Sequence, residues 1–364
     1  MVLDKATTRY VSLMLTYSCN LKCSYCYEHF KSDRTMSVEM AKEKISQAFQ
    51  DTLNSGKYKA LEISFMGGEP LLEFEKIKLL SEWCWEQEWG IRYILFASTN
   101  ATLLTPKMKE WFYEHRDKIV LGVSLDGTLA MQATNRGDLA SKIDIDFFLK
   151  TWPLQGIKMT ISKETLPFIS EGVIYLHERG FQHIYANLAY GIDWSNTDLE
   201  TYKEQLLILT KYYILAPHLN RCSLLSLDLT EIIDLSYSHT KHCGCGEGTS
   251  LIDIDGNTYP CPVFSPSTMP HKLLEKIKDI DFTDVEAFVP KECRKCVLHR
   301  ACPKCYGMNY LRTGRVDSFN TFNCKAFKIQ VLANCALQQE LLNNNSDKSN
   351  EKLLASLHLL NLIL

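Results

Sequence analysis

Three cysteines in the spacing C-x3-C-x2-C, Cys19, Cys23 and Cys26, follow the apolar run 11–15, which reads as a strand. A cubane 4Fe–4S cluster ordinarily takes four thiolates, so three from one tight loop leave one iron open to another ligand. The trio also reads as half a zinc site, or as unrelated thiols packed as small hydrophobes. His29 is the only further His or Cys within the next fifty residues, which leaves zinc short of a nearby fourth ligand.

The chain holds 14 cysteines, and their placement matters more than their number. Three lie in the opening loop, eight fall from Cys243 to Cys324, and Cys84, Cys222 and Cys335 stand apart as packing residues. Residues 1–9 are too short and charged for a signal peptide, and no stretch approaches the roughly 20 apolar residues of a membrane span. The chain is therefore expected in the cytoplasm, with no membrane span, where clustered thiols point to metal or catalysis rather than to disulfides. A net charge of −3, a pI near 6.4 and scattered Lys and Arg give no footprint for nucleic acid. With 364 residues, 46% of them hydrophobic, the chain can build one large α/β domain and a smaller one.

Between the two cysteine groups, strand and helix patterns alternate. Ser37 is placed to cap a helix with apolar residues at 38, 40, 41, 45, 48 and 49. Residues 61–66 read as a buried strand running into Gly67-Gly68-Glu69-Pro70. Two glycines there let the backbone turn sharply and approach a ligand, and Glu69 adds a carboxylate at the strand's end. A helix over 74–89, a strand over 92–97 leading into Ser98-Thr99-Asn100-Ala101, and a helix from Pro106 through 113 follow. The strand 119–125 ends in Ser124-Leu125-Asp126-Gly127, where Asp126 is either a turn aspartate or a site residue. Strands over 156–162 and 182–188 flank a helical stretch 166–179 stopped by Gly180. Thr160 and Asn187 fall late in these strands, where residues of a parallel barrel face its mouth; the alternative is local satisfaction of backbone groups. Six strand–helix units imply a parallel sheet with right-handed crossovers, and six rather than eight imply a partial barrel.

From His242 the character changes. Cys243-Gly244-Cys245 precedes a predicted hairpin around Asp255-Gly256 that leads to Cys261, followed by Cys293-x2-Cys296-x5-Cys302-x2-Cys305 and Cys324. Eight thiols suffice for two fully ligated 4Fe–4S clusters. Zinc ribbons usually separate such pairs by about 15–20 residues, and here the gap is five. A helix over 327–342 and a polar break over 343–347 are expected next. The leucine-rich 353–364 is too short to span a membrane and reads as a docking helix.

These motifs, in this order, resemble the radical S-adenosylmethionine (radical SAM) enzymes that carry a SPASM extension with twin auxiliary clusters. The fold class this implies is α/β: a partial (β/α)6 TIM-like barrel over 1–235, an auxiliary-cluster domain over 236–328 and a helical tail over 329–364. The resemblance implies three 4Fe–4S clusters. Cys19, Cys23 and Cys26 would hold the one that binds SAM. Cys243, Cys245, Cys261 and Cys305 would hold a first auxiliary cluster, and Cys293, Cys296, Cys302 and Cys324 a second. SAM contacts are implied at Tyr25, Gly67, Gly68, Glu69, Pro70, Ser124, Asp126, Arg136, Thr160 and Asn187, with Asp126 and Arg136 as base candidates. Two departures are plain: Ala101 stands where the family's T-N-G-T turn has glycine, and Cys302-x2-Cys305 where it has C-x3-C.

The activity implied is reductive cleavage of SAM to a 5′-deoxyadenosyl radical, which takes a hydrogen atom from a peptide. The leading expectation is a peptide maturase that forms a thioether or carbon–carbon crosslink in a ribosomally made precursor. Its partners would be that precursor, a flavodoxin or ferredoxin as electron donor, and a separate leader-binding protein. Anaerobic sulfatase maturation, which makes formylglycine, is the alternative, but that branch has an aspartate where Pro262 follows Cys261. A non-catalytic iron–sulfur electron-transfer protein is the third reading, and it has no use for residues 67–70.

Overall fold

The computed structural model describes residues 4–139, 143–233 and 241–344, together with Leu354, Leu357 and Leu360. The chain divides into two compact units, each discontinuous in sequence. One comprises Met1–Ser124, Arg136–Pro153 and Gly244–Asp284; the other Leu125–Asn135, Leu154–Cys243 and Val285–Leu364.

The first unit is built on a sheet whose central strand is β1 (Thr8–Thr16). Val11, Leu13, Met14 and Leu15 are buried, a nearly continuous apolar run as a strand covered on both faces requires. Parallel to it on one side run β2 (Ala60–Gly67), β3 (Arg92–Thr99) and β4 (Ile119–Val123), in that order. Helix α1 (Val38–Ser55) joins β1 to β2. It is capped by the Ser37 hydroxyl, which accepts from the Met40 amide at 3.1 Å, and it buries Ala41, Ile45, Ala48 and Phe49. Helices α2 (Phe74–Trp85) and α3 (Pro106–Glu114) make the next crossovers. The expected helix over 74–89 thus stops four residues early. The Trp89 indole donates to the Cys84 carbonyl at 2.9 Å and its ring stacks on Phe49 at 4.0 Å, which pulls it off the helical path.

The other side of β1 holds a strand from far along the chain. β7 (Thr249–Ile252) pairs parallel with residues 10–13 of β1, then turns back as β8 (Thr258–Tyr259). The turn is the expected hairpin, with Gly256 in the left-handed region at φ 80°.

In the second unit β5 (Ile157–Ile161) and β6 (Ile184–Leu188) pair parallel, with α6 (Ile169–Glu178) between them. Residues 129–135 of the short helix α4 (Leu129–Arg136) belong to this unit, whereas α5 (Ile145–Thr151) belongs to the first. The long helix α7 (Asn196–Leu215) begins in a capping box of Ser195 and Asp198. It packs on α11 (Thr321–Asn344), which starts six residues before the expected 327 and so carries Cys324 in its first turn. The short helices α8 (Leu229–Ile233), α9 (His271–Leu274) and α10 (Tyr306–Thr313) complete the assignment among the described residues. No helix among them is long and apolar enough to cross a membrane.

The polar break 343–347 lies largely outside the described residues. Of the leucine-rich tail, Leu354, Leu357 and Leu360 are helical, and Leu357 and Leu360 are buried among Leu229, Leu298, Phe327 and Val331. These two side chains close one end of the second unit's core, so the tail docks as the sequence leads one to expect. Truncating Leu360 to alanine should cost about 2–5 kcal/mol, as for other buried leucines. Chemical denaturation would read this, and an unchanged midpoint would mean the tail contributes nothing to the fold.

Candidate active site and cysteine sites

The cysteine loop leaves β1 at Thr16 and is held against the end of β2 by backbone alone. The Gly68 amide donates to the Thr16 carbonyl at 3.1 Å, and the Glu69 amide to the Ser18 carbonyl at 2.9 Å. This approach explains both glycines. A Cβ on Gly67 would lie 2.7 Å from the Thr16 carbonyl oxygen, and one on Gly68 would lie 2.4 Å from the Ser18 carbonyl oxygen and 2.8 Å from Cys19 Cβ. Two strand ends are thereby pressed together with the three thiols beside them.

Glu69 ties in the third strand. Its carboxylate is almost wholly buried, and Oε1 accepts from the Leu71 amide at 3.0 Å and the Thr99 hydroxyl at 2.6 Å. Oε2 accepts from the Asn100 amide at 2.8 Å. Burial pushes its pKa up, while these three donors and the nearby charge of Arg136 pull it back. The carboxylate is thus spent on fixing the loops, and Pro70 opens the 3-10 turn behind it. Ala101 takes φ 61°, the left-handed backbone that glycine takes without strain.

Sequence reasoning missed the clamp on the loop itself. Asn100 donates to Asn20 Oδ1 at 2.9 Å, Asn20 donates to Thr102 Oγ1 at 2.9 Å, and Thr102 closes the ring on Asn100 Oδ1 at 2.7 Å. The signal was available: Asn20 sits inside the cysteine motif and Asn100 inside the turn after β3. Lys31 adds a bond to the Leu21 carbonyl at 3.1 Å. Tyr25 and Arg136 also meet in this unit, the guanidinium carbon 5.5 Å from the ring centroid. The Ser124 amide donates to the Thr99 carbonyl at 3.1 Å.

Asp126 and Thr160 belong to the second unit and serve its loops. The fully buried Asp126 carboxylate accepts from the Thr160 amide at 2.9 Å and Asn135 Nδ2 at 3.1 Å. Asn135 donates in turn to the Thr160 carbonyl at 3.0 Å. Of the two base candidates, Asp126 is buried and bonded to the backbone of Thr160, while Arg136 carries a guanidinium, a group that stays charged at neutral pH. Asn187 is exposed at the end of β6. It lines a cavity of about 460 Å³ together with Cys305.

The later cysteines fall into distinguishable groups. Cys293, Cys296, Cys302 and Cys324 line one hollow of about 40 Å³, joined there by His299 and Lys304. Among the described residues no three His, Cys, Asp or Glu side chains converge on the position of a single ion; these four cysteines share the lining of one hollow. Burial pushes the Cys302 thiol up to about 11, and the ammonium of Lys304 opposes that shift. A metal bound there would have to displace protons, with a cation at hand to favour the thiolates. Cys245 and Cys261 lie in the first unit, where the Gly246 amide donates to the Pro260 carbonyl at 3.0 Å. Cys243 and Cys305 lie in the second unit. Cys84, Cys222 and Cys335 are buried, as packing residues should be.

Comparison with known proteins gives the same picture. A family described as a 4Fe-4S single cluster domain matches residues 8–141. The cysteine-type anaerobic sulfatase-maturating enzyme of Clostridium perfringens is 25% identical over 351 residues, covering 85% of this chain and 91% of that one. An uncharacterised protein of Methanocaldococcus jannaschii is 29% identical over 48% of this chain, and the match spans only 61% of that relative's length. Among solved structures, native anSMEcpe with bound AdoMet superposes with a TM-score of 0.69 at 19% identity, over 92% of this chain and 99% of that one. Streptococcus suis SuiB bound to precursor peptide SuiA gives 0.61 at 19% identity, over 88% and 76%. Both share the α/β fold of this chain, with its parallel central sheet. Over most of its length the chain is thus similar to an anaerobic sulfatase-maturating enzyme, and its N-terminal segment to a 4Fe-4S single cluster domain.

Two substitutions probe this construction. Gly68→Ala should destabilise the first unit by about 1–3 kcal/mol, because the new methyl meets unyielding backbone; a melting temperature equal to the parent's would refute the close approach. Cys324→Ala in the anaerobically reconstituted protein should lose about four irons, one cluster's worth, and no more. Retention of full iron and sulfide would remove Cys324 from the ligand set.

Proposed function

We propose that the chain is a peptide maturase that uses SAM to oxidise a ribosomally made precursor and join two of its side chains by a thioether or carbon–carbon bond. The clusters and SAM, when bound, supply one-electron chemistry and hydrogen-atom abstraction; the protein supplies binding, orientation and exclusion of water. On this reading Cys19, Cys23 and Cys26 ligate the cluster that holds SAM. The backbone at Gly67 and Gly68, in a loop fixed by Glu69 and Pro70, receives the methionyl amino group. Tyr25, Ser124 and Arg136 flank the same loop ends, Asn187 faces the substrate cavity, and Asp126 with Thr160 keeps its loop in place. The four thiols around Cys302 hold one auxiliary cluster, and Cys243, Cys245, Cys261 and Cys305 another, for three in all. A flavodoxin or ferredoxin in the cytoplasm supplies electrons, and a separate protein assists in leader binding.

The observation that carries crosslinking over formylglycine formation is Pro262. It follows Cys261 directly and has no titratable group, whereas sulfatase maturation on the family's pattern uses an aspartate there as base. Its own carbonyl is occupied in accepting the Ser265 hydroxyl at 2.6 Å. SuiB, whose structure holds a precursor peptide, shares the fold and supports the peptide class. Sulfatase maturation remains the second reading because the clostridial enzyme aligns over 85% of this chain.

The test is anaerobic reconstitution, an iron and sulfide count, and incubation with SAM, dithionite and candidate peptides under mass spectrometry. The expected product is a peptide lighter by two hydrogens with a crosslink located by fragmentation; an aldehyde at a single residue would transfer the assignment to formylglycine. Cys23→Ala should reduce 5′-deoxyadenosine formation by at least about a thousandfold, as when a unit of catalytic machinery is dismantled. It should leave the auxiliary iron in place. Cleavage of SAM by that variant would show the opening loop to be the wrong site.

A further inference from the structure

The second unit contains another cavity of similar size, about 440 Å³, at the opposite end of β6 from Asn187. Its polar lining is supplied by Arg221, His183, His218, Asn220, Ser226 and Tyr185, and no Asp or Glu lines it. Among the described residues no carboxylate pairs with Arg221. A cleft edged by an unneutralised guanidinium, two imidazoles and a carboxamide is built for an anion. In a chain of net charge −3 this local excess of cation is not a general property of the surface.

The cavity is held open rather than improvised. The Tyr213 hydroxyl bonds to His177 Nε2 and accepts from the Cys222 amide, both at 2.9 Å, and Ser223 Oγ donates to the Ala186 carbonyl at 2.7 Å. From α11, Asn334 donates to the Leu224 carbonyl at 2.8 Å and accepts from the Leu227 amide at 3.0 Å. Gln338 donates to the Leu227 carbonyl at 3.0 Å. On the rim, the Tyr185 ring lies across Gly156, where a Cβ would come within 2.2 Å of it. Residues 222–227 thus form a pinned wall, and Ser223 borders both this cavity and the one beside Cys305.

We propose that this cavity docks a carboxylate-rich segment of the peptide substrate, while the residue to be modified occupies the cavity at the other end of β6. The proposal rests on the peptide-maturase reading above. The two cavities flank the five residues of β6. At about 3.3 Å per extended residue, the acidic anchor would precede or follow the reacting residue by about five positions.

The test uses the reconstituted holoenzyme and fluorescein-labelled hexaglutamate, with labelled hexaglutamine as the neutral probe, read by anisotropy at low ionic strength. Hexaglutamate should bind and hexaglutamine should not. Arg221→Glu should weaken binding about tenfold or more, the size of one lost charge-assisted hydrogen bond. Lys211→Glu, a charge reversal on α7 that does not line the cavity, should leave binding unchanged. Equal affinity for parent and Arg221→Glu, or an equal loss with Lys211→Glu, would overturn the site. Displacement of the probe by submillimolar inorganic phosphate would overturn the peptide assignment in favour of a small free anion. Should Arg221→Glu fold poorly, Arg221→Gln and His218→Gln serve the same comparison, with smaller losses expected. Binding needs neither SAM nor reductant, so it is scored separately from turnover: Arg221-dependent capture without any peptide oxidation would leave the anion site standing and bring down the maturase reading.

Discussion

Everything in the first unit turns on how closely two peptide backbones approach at the ends of β1 and β2. The Gly68 and Glu69 amides bond to carbonyls that immediately precede Cys19, with no room for a side chain between. A cluster loop needs its ligands held in a fixed array before the metal arrives, since disorder there would be charged against binding. Here the array is braced from β2 by backbone, from β3 by the Asn20–Asn100–Thr102 ring, and across both by Glu69. Buried and surrounded by three donors, that carboxylate is an electrostatic keystone rather than a reagent. Its position gives the acid beside the glycine pair a structural role that needs no contact with a reacting atom.

The second unit answers a different demand. The four cysteines that share its hollow come from separate segments, Cys293, Cys296 and Cys302 on the 3-10 turns and loops before α10 and Cys324 on α11. That helix also supplies Asn334 and Gln338, which pin residues 222–227, and Phe327 and Val331, which meet the docked tail. One helix therefore carries Cys324, a cavity wall and a core face. Loss of any of the three would be felt by the others through a rigid rod, which makes the tail's leucines relevant to Cys296 and Cys302, packed against the same core cluster.

Much of this was legible in the chain because it is written locally. The cysteine spacing, the glycine pair, the Ser37 cap, Gly180 and the Asp255-Gly256 hairpin are all short-range signals, and each reappears in the structure. What escaped was set by partners distant in sequence. Trp89 looks helical until Phe49 and the Cys84 carbonyl claim it. Helix α7 is announced by Ser195-x-x-Asp198, but its hydrophobic stripe is weak and a strand count passes over it. Asp126 sits in a motif that reads as a site, and its bonds to Thr160 and Asn135 are contacts no local pattern reveals. The second anion cavity is lined from residues 183–185, 217–226 and 341, which nothing in the sequence links.

The pairing of β7 with β1 has a consequence for how the molecule is made. Strand β1 is complete by residue 16, yet the neighbour on one of its sides begins only at residue 249. During synthesis the central strand of the sheet therefore carries an unpaired edge while more than half the chain is still to come, the geometry from which misassembly starts. The same separation makes closure of the sheet a long-range and hence slow event. The cluster loop at the end of β1 is thus formed early but framed late. Iron delivered to the nascent chain would meet three thiols on a half-built sheet, and the timing of metal insertion becomes part of the folding problem.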